Sequence, residues 1–145
     1  MDLYLMRHGK AEEDAPSDAE RKLTVEGAFH VEDVADAFLK REWPLPKKLI
    51  TSPYIRAEET ARIIAKKLGI KDVKVVSYEE AILWEKMRSY VNNEPILFVG
   101  HQPFLGEVIE MLTNRSLSVR KASIHRIKYD FEKDKGKYVD KIESR

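Results

Sequence analysis

Three short segments carry side chains suited to phosphate chemistry: Arg7-His8-Gly9, Ser52-Pro53-Tyr54-Ile55-Arg56 and Gly100-His101-Gln102-Pro103. Each directly follows a short apolar run, Leu3–Met6, Leu49–Thr51 and Ile96–Val99 respectively. Two guanidiniums present fixed forks of donors that match phosphate oxygens and stay charged at any working pH. Helix starts at Pro53 and Pro103 add free N–H donors and partial positive charge. A histidine beside such charge has its imidazolium form disfavoured, and the neutral imidazole is the form that attacks. The other histidine can hydrogen-bond phosphoryl oxygens and stabilise charge in the transition state. The set suits phosphoryl transfer in which Arg and His take the place of a metal ion in neutralising phosphate. No H-E-x-x-H type of spacing occurs, so no metal and no cofactor is expected, and activity should survive excess EDTA. Taken singly, a histidine at a strand end is more often structural and an arginine early in a helix is more often solvated. The coincidence at three strand ends carries the reading.

These residues can meet only if the chain places the three strand ends on one rim. The run Leu3–Met6 is long enough for a buried strand and too short for a helix, and Leu49–Thr51, Val73–Val76 and Ile96–Val99 are read as the second, third and fourth strands. Between them lie helical patterns. Thr24 is placed as an N-cap before Ala28, Val31, Val34, Ala35 and Phe38, and that helix ends before Pro44 and Pro46. Ser52-Pro53 is the expected start of a second helix, with Tyr54, Ala57, Ala61, Ile64, Ala65 and Leu68 on one face and Gly69 at its C-terminal cap. Residues 79–92 are expected to form a third, and Pro103 to open a fourth with Leu105, Val108, Ile109 and Leu112 inward. The tail predicts a hairpin of Ile124–Phe131 and Tyr138–Ile142 about a turn at Asp134–Lys137. Strands alternating with helices imply an α/β fold: three layers, with a mainly parallel open sheet flanked by helices. In such sheets ligands bind at the carboxyl ends of the strands, which is where the three segments fall. Residues 9–23 are polar, and a loop of that length in a compact domain usually carries function.

Composition narrows the class. The chain has 145 residues, 26 Lys plus Arg against 25 Asp plus Glu, and no Cys. That length suits one domain, residues 1–145, with a real core. The charge balance argues against a nucleic-acid partner, which would require a basic excess. Without Cys there is no disulfide framework, no thiolate nucleophile and no Cys-based zinc site. No apolar h-region follows Met1 and no run approaches the roughly 20 apolar residues of a membrane span, so a cytoplasmic, non-membrane protein is expected. Charged residues make up 35% of the chain while amides are few, the bias of thermophilic proteins.

The three segments also resemble the signatures of a known family. Leu5-Met6-Arg7-His8-Gly9, Ser52-Pro53 with Arg56-Ala57-Glu58-Glu59-Thr60-Ala61, and Val99-Gly100-His101 are similar, in order along nearly the whole chain, to those of the histidine phosphatase superfamily, which includes phosphoglycerate mutase-like enzymes. Arg7-His8-Gly9-Lys10-Ala11, Ser17-Asp18, Arg21-Lys22-Leu23-Thr24 and Gly27 resemble the N-terminal block of its SixA-type protein phosphohistidine phosphatases. Larger members carry an insertion that covers the site; here only about one helix fits between Val76 and Ile96, and an uncovered pocket suits a phosphorylated side chain on another protein. The resemblance implies that His8 takes the phosphoryl group as phosphohistidine. It implies that Arg7 and Arg56 grip the phosphate oxygens and that His101 completes the cage. Arg21 is a further candidate for phosphate contact.

The general acid is not fixed by any motif. Asp18, Glu79, Glu80 and Glu85 are the candidates, and a phosphohistidine substrate needs an acid less, because imidazole with a pKa of about 6.5 is a good leaving group once protonated. The resemblance therefore implies hydrolysis of phosphohistidine on a protein of the phosphorelay type. The alternatives are a small-molecule phosphomonoesterase or sugar-phosphate phosphatase on the same fold, and a catalytically dead phosphate-binding module. His30 is expected at the surface, His125 as structural, Trp43 and Trp84 in packing, and Lys133, Lys135 and Lys137 in a solvated turn.

Overall fold

A computed structural model describes residues 1–145. Six strands form one sheet: β1 (Asp2–Arg7), β2 (Lys48–Thr51), β3 (Asp72–Val75), β4 (Ile96–Gly100), β5 (Ile124–Asp130) and β6 (Lys135–Ile142), in the order β3-β2-β4-β1-β5-β6. β3, β2, β4 and β1 pair in parallel, and β5 runs antiparallel between β1 and β6. Five helices follow in chain order: α1 (Val25–Lys40), α2 (Ile55–Leu68), α3 (Tyr78–Ala81), α4 (Trp84–Arg88) and α5 (Phe104–Thr113). No helix is long and apolar enough to cross a membrane.

The central strands are apolar on both faces, which is why β1 and β4 appear in the sequence as unbroken runs. Side chains alternate across the sheet. Tyr4 and Met6 of β1 join Val31, Val34 and Phe38 of α1 and Ala57, Ala61 and Ile64 of α2 on one side. Leu3 and Leu5 join Met87 of α4 and Leu105, Val108 and Leu112 of α5 on the other. The result is the expected three-layer α/β architecture with a mainly parallel sheet. Trp43 stacks on Tyr4 and packs edge-on against Phe38, and Trp84 meets Phe98 and Tyr129 edge-on. Both tryptophans are packing residues.

Four boundaries differ from the sequence reading, each for a local reason. The single helix expected over 79–92 is two short ones, because Leu83 is extended (φ −123°, ψ 113°) and turns Trp84 towards the sheet. There its indole N–H donates to Asp134 at 2.9 Å. The hairpin turn lies at residues 131–134 and not at Asp134–Lys137: Asp130 Oδ1 accepts from the N–H groups of Glu132 and Lys133, which starts the turn earlier. Lys135 and Lys137 are therefore strand residues. Helix α2 begins at Ile55 and not at Pro53, and Ser52 caps nothing, its hydroxyl being engaged elsewhere. Helix α5 begins at Phe104, and Gln102 Oε1, rather than a cap at Pro103, accepts from Gly106 N–H at 2.8 Å.

The chain leaving β1 crosses α1 at very close range. A Cβ on Gly27 would stand 2.1 Å from the Lys10 carbonyl oxygen, and one on Gly9 would stand 3.0 Å from the Gly27 oxygen. Thr24 caps α1 at this crossing, accepting from Gly27 N–H at 2.8 Å. Gly27→Ala is thus expected to destabilise the fold by about 1–3 kcal/mol, the usual cost of overpacking. A lower urea midpoint would show it; an unchanged midpoint would mean that the crossing can widen freely.

Candidate active site

Three of the four predicted residues arrive at the rim directly from strand ends. Arg7 closes β1 in register with Gly100 at the end of β4, and His8 N–H donates to the Gly100 carbonyl at 3.2 Å. His101 follows β4. Arg56 comes from the first turn of α2, after β2. All four of Arg7, His8, Arg56 and His101 meet at the carboxyl edge of the parallel strands. His8, Arg56 and His101 are buried, at 7%, 7% and 6% exposure.

The protonation state of His8 follows from its partners. Its Nδ1 lies 2.8 Å from the Gly9 carbonyl, which can only accept, so Nδ1 carries the proton. Nε2 is left unprotonated, and its lone pair accepts from Arg56 Nε at 3.2 Å. Burial pushes the His8 pKa down to about 3, aided by the charges of His101, Arg56 and Arg7. His101 is lowered to about 4, again by burial first and then by Arg56 and Arg7. Its ring stands 5.2 Å from that of His8, and its Nε2 is 2.6 Å from the Ser52 hydroxyl. The site therefore holds two neutral imidazoles beside two fixed cations, one imidazole with an unprotonated nitrogen available to a phosphorus atom.

Arg7 is anchored by one arm only. Its Nη1 donates to the Val119 carbonyl at 3.0 Å, while its buried Nε has no hydrogen-bond partner. A buried charged donor left unpaired is costly, and an anion would satisfy it. Arg56 lies over the Tyr54 ring at 4.9 Å and gives both terminal nitrogens to Asp18, one to its backbone oxygen at 2.7 Å and one to its carboxylate at 3.2 Å. The Asp18 carboxyl is held below its ordinary range by its hydrogen bonds with Arg21 and Arg56.

Arg21 lies one step further out. Its guanidinium donates to the Glu12 carbonyl at 2.6 Å and to Asp18 at 3.1 Å. It braces the residue that braces Arg56 and makes no bond to the cage itself. The carboxylates Glu79, Glu80 and Glu85 also make no hydrogen bond or ion pair with Arg7, His8, Arg56 or His101; Glu80 accepts from the Tyr90 hydroxyl at 3.4 Å. Asp18 is the one candidate acid in contact with the cage.

Several contributors were not legible beforehand. Ser52 looks like a helix cap in the sequence and instead holds His101. Thr60 donates to the Arg56 carbonyl at 2.7 Å and accepts from Gly9 N–H at 3.1 Å, tying α2 to the loop after His8. Its sequence signals are its place in the Arg56–Ala61 segment and helical spacing, four residues after Arg56 on the same face. Tyr54 and Tyr78 stack at 4.6 Å beside His101. His125 has a structural place. Ser123 Oγ donates to the Arg120 carbonyl at 2.6 Å, so it accepts from His125 Nε2 at 3.0 Å, and His125 Nδ1 accepts from the Tyr138 hydroxyl at 2.9 Å. That chain fixes the 119–123 turn whose carbonyls hold Arg7. His30 sits part-exposed, 3.8 Å from Glu26.

Comparison with known proteins identifies the family. Residues 3–81 match the model of the histidine phosphatase superfamily (branch 1). A protein of Haemophilus influenzae described as a phosphohistidine phosphatase SixA homolog is 27% identical, over 92% of this chain and 91% of its own length. Phosphohistidine phosphatase SixA of Escherichia coli is 29% identical, over 77% of this chain and 74% of its own. The solved structure of the protein histidine phosphatase SixA complexed with tungstate superimposes with a TM-score of 0.87 at 22% identity, covering 99% of this chain and 97% of that one. With the family's segments in order and its fold reproduced, the chain belongs to the histidine phosphatase superfamily, branch 1, near its SixA-type members.

Proposed function

We propose that this chain is a phosphatase that hydrolyses phosphohistidine on a protein substrate, with His8 as the group that takes the phosphoryl. The carrying observation is an unprotonated His8 Nε2 held by Arg56, in the field of an Arg7 whose buried Nε has no partner. The His8 Nε2 lone pair attacks phosphorus, and the P–N bond to the substrate imidazole breaks. The leaving imidazole retains the bonding electron pair and takes up a proton from solvent water. Water then attacks the phosphohistidine, the P–Nε2 bond breaks, and phosphate leaves with His8 neutral again. Arg7 and Arg56 hold the phosphoryl oxygens, and His101 donates to the charge developing opposite His8. Arg21 acts on the phosphate through Asp18 and Arg56.

The choice of substrate is supported by the SixA relatives and by the lack of a free carboxylic acid at the cage. Asp18, the one carboxyl in contact, is engaged by two arginines and held charged, a poor state for protonating an alkoxide leaving group. An imidazole leaving group has much less need of it. The test is the relative kcat/KM on a phosphohistidine protein, on sugar phosphates and on an aryl phosphate. The phosphohistidine protein should be the best substrate. A sugar phosphate turned over faster would make this chain a small-molecule phosphomonoesterase instead.

A further inference from the structure

Beside the cage, on the same rim, lies a second cavity of about 350 Å³ lined by Lys10, His30, Arg120, Lys121 and Arg145, with Glu143 the only carboxylate in its wall. Its position follows from topology. Lys10 is two residues beyond His8. Arg120 and Lys121 sit in the turn between Val119, whose carbonyl holds Arg7, and Ala122, whose N–H bonds the His8 carbonyl. Residues 143–145 emerge where Ile142 pairs with Ile124, which in turn pairs with Met6. The basic walls therefore border the mouth of the phosphate site.

The charges here are weakly committed. Lys121 has no carboxylate within 4 Å. Arg120 reaches Glu143 only at 3.9 Å, with its side chain 67% exposed. Lys10 pairs with Glu26, and Arg145 with Asp33, through exposed cations. Exposed pairs of this kind contribute little, so another carboxylate can take the cation at little cost. A second feature adjoins it. Val25 and Phe29, one turn apart on α1, are 91% and 64% exposed. Their chain neighbours Glu26 and His30 are, respectively, the partner of Lys10 and part of the cavity wall. They are the two most exposed large apolar side chains of the molecule, and their spacing of one helical turn places them side by side as one apolar spot rimmed by charge.

We propose that Val25, Phe29, Lys10, Arg120 and Lys121 form a docking surface for the protein that carries the phosphohistidine, and that this protein presents carboxylates beside an apolar spot. The proposal rests on the function assigned above and adds to it the chemistry of the partner's face. The cations steer an acidic surface towards the mouth, and Val25 and Phe29 hold it there.

The test compares wild type with Lys121→Glu and Phe29→Ser, singly and together, on an acidic phosphohistidine protein and on an aryl phosphate too small to reach the surface. Each single variant should raise KM for the protein about threefold to tenfold at low salt, as rim contacts do, with kcat unchanged. Phe29→Ser should leave kcat/KM for the aryl phosphate unchanged, and Lys121→Glu should lower it by clearly less than it lowers that for the protein, because a small dianion meets the field at the mouth but makes no contact with the surface. The Lys121 effect should fade at high salt, because screening shortens from about 10 Å at 0.1 M to about 3 Å at 1 M. An unchanged KM for the protein, or equal losses on both substrates, overturns the docking surface and leaves the assigned function standing. A wild-type enzyme that cleaves the aryl phosphate and ignores the phosphohistidine protein overturns the function and the docking surface together.

Discussion

Exchange of His8 for alanine should abolish turnover and covalent labelling by substrate while leaving a folded protein. The loss should be at least about 10⁴-fold in kcat, the scale seen when a nucleophile is removed and the rest of a site is kept. Nothing else in the cage can replace it. His101 Nε2 is tied to Ser52 at 2.6 Å, and the two arginines have no lone pair to offer. The cage itself does not depend on the His8 ring. Arg7 is anchored on Val119, Arg56 on Asp18, and the His8 and Gly9 backbones on Gly100 and Thr60. Phosphate binding should therefore outlast catalysis in the variant. His8→Asn provides a second version that can still donate to the Gly9 carbonyl where Nδ1 does. Full activity in either folded variant would remove His8 from the mechanism. Normal phosphate affinity with no labelled intermediate in wild type would leave a binding module instead.

The sequence carried the outline of this site because its residues lie where simple rules point. Arg7, His8 and His101 directly follow two apolar runs, and those runs are continuous because both faces of β1 and β4 are covered. Arg56 stands in the first turn of a helix with a clear apolar stripe. What stayed hidden depends on contacts between segments far apart in the chain. Ser52-Pro53 carries the pattern of a helix start, but a tertiary partner, His101, 49 residues away, outcompetes local capping. Arg21 looks equivalent to the other arginines as a residue type. Only the folded loop shows that its donors go to Glu12 and Asp18. Asp134-Lys135-Gly136-Lys137 has turn composition, yet the hydrogen bonds of Asp130 decide where the turn after β5 lies. Gly136, a turn residue by type, is a strand residue whose Cβ would stand 2.4 Å from Ile127. Its place there is a matter of close packing.

Acid should destabilise this protein well above the range in which carboxylates titrate, and an anion should oppose the effect. His8, His101 and His125 are all buried, and burial is the leading cause of their lowered pKa values, about 3, about 4 and about 4. In the unfolded chain each returns to about 6.5. Between pH 6.5 and 4 the unfolded state thus binds more protons at these three sites than the folded state does, so stability falls as pH falls. The stabilisation is fully present above pH 6.5 and is lost on the way down to the folded values. Each site contributes up to about 1.4 kcal/mol per pH unit, or about 4 for the three together, against a total stability of about 5–15 kcal/mol for a typical domain. The urea midpoint should therefore drop steeply from pH 7 to pH 5. Asp2 and Asp18, with lowered carboxyl pKa values, add their loss only below their ordinary 3.8, in a separate window. Low-millimolar sulfate, a dianion at both pH values, should bind between Arg7 and Arg56 and favour the imidazolium forms of His8 and His101. It should raise the midpoint more at pH 5 than at pH 7. His125, fenced in by Ser123 and Tyr138, should not respond to it. A midpoint unchanged between pH 7 and 5 would mean that the buried imidazoles titrate near their ordinary value. His8 would then be substantially charged at mildly acidic pH, and the neutral nucleophile on which the mechanism depends would have to come from substrate binding rather than from the fold.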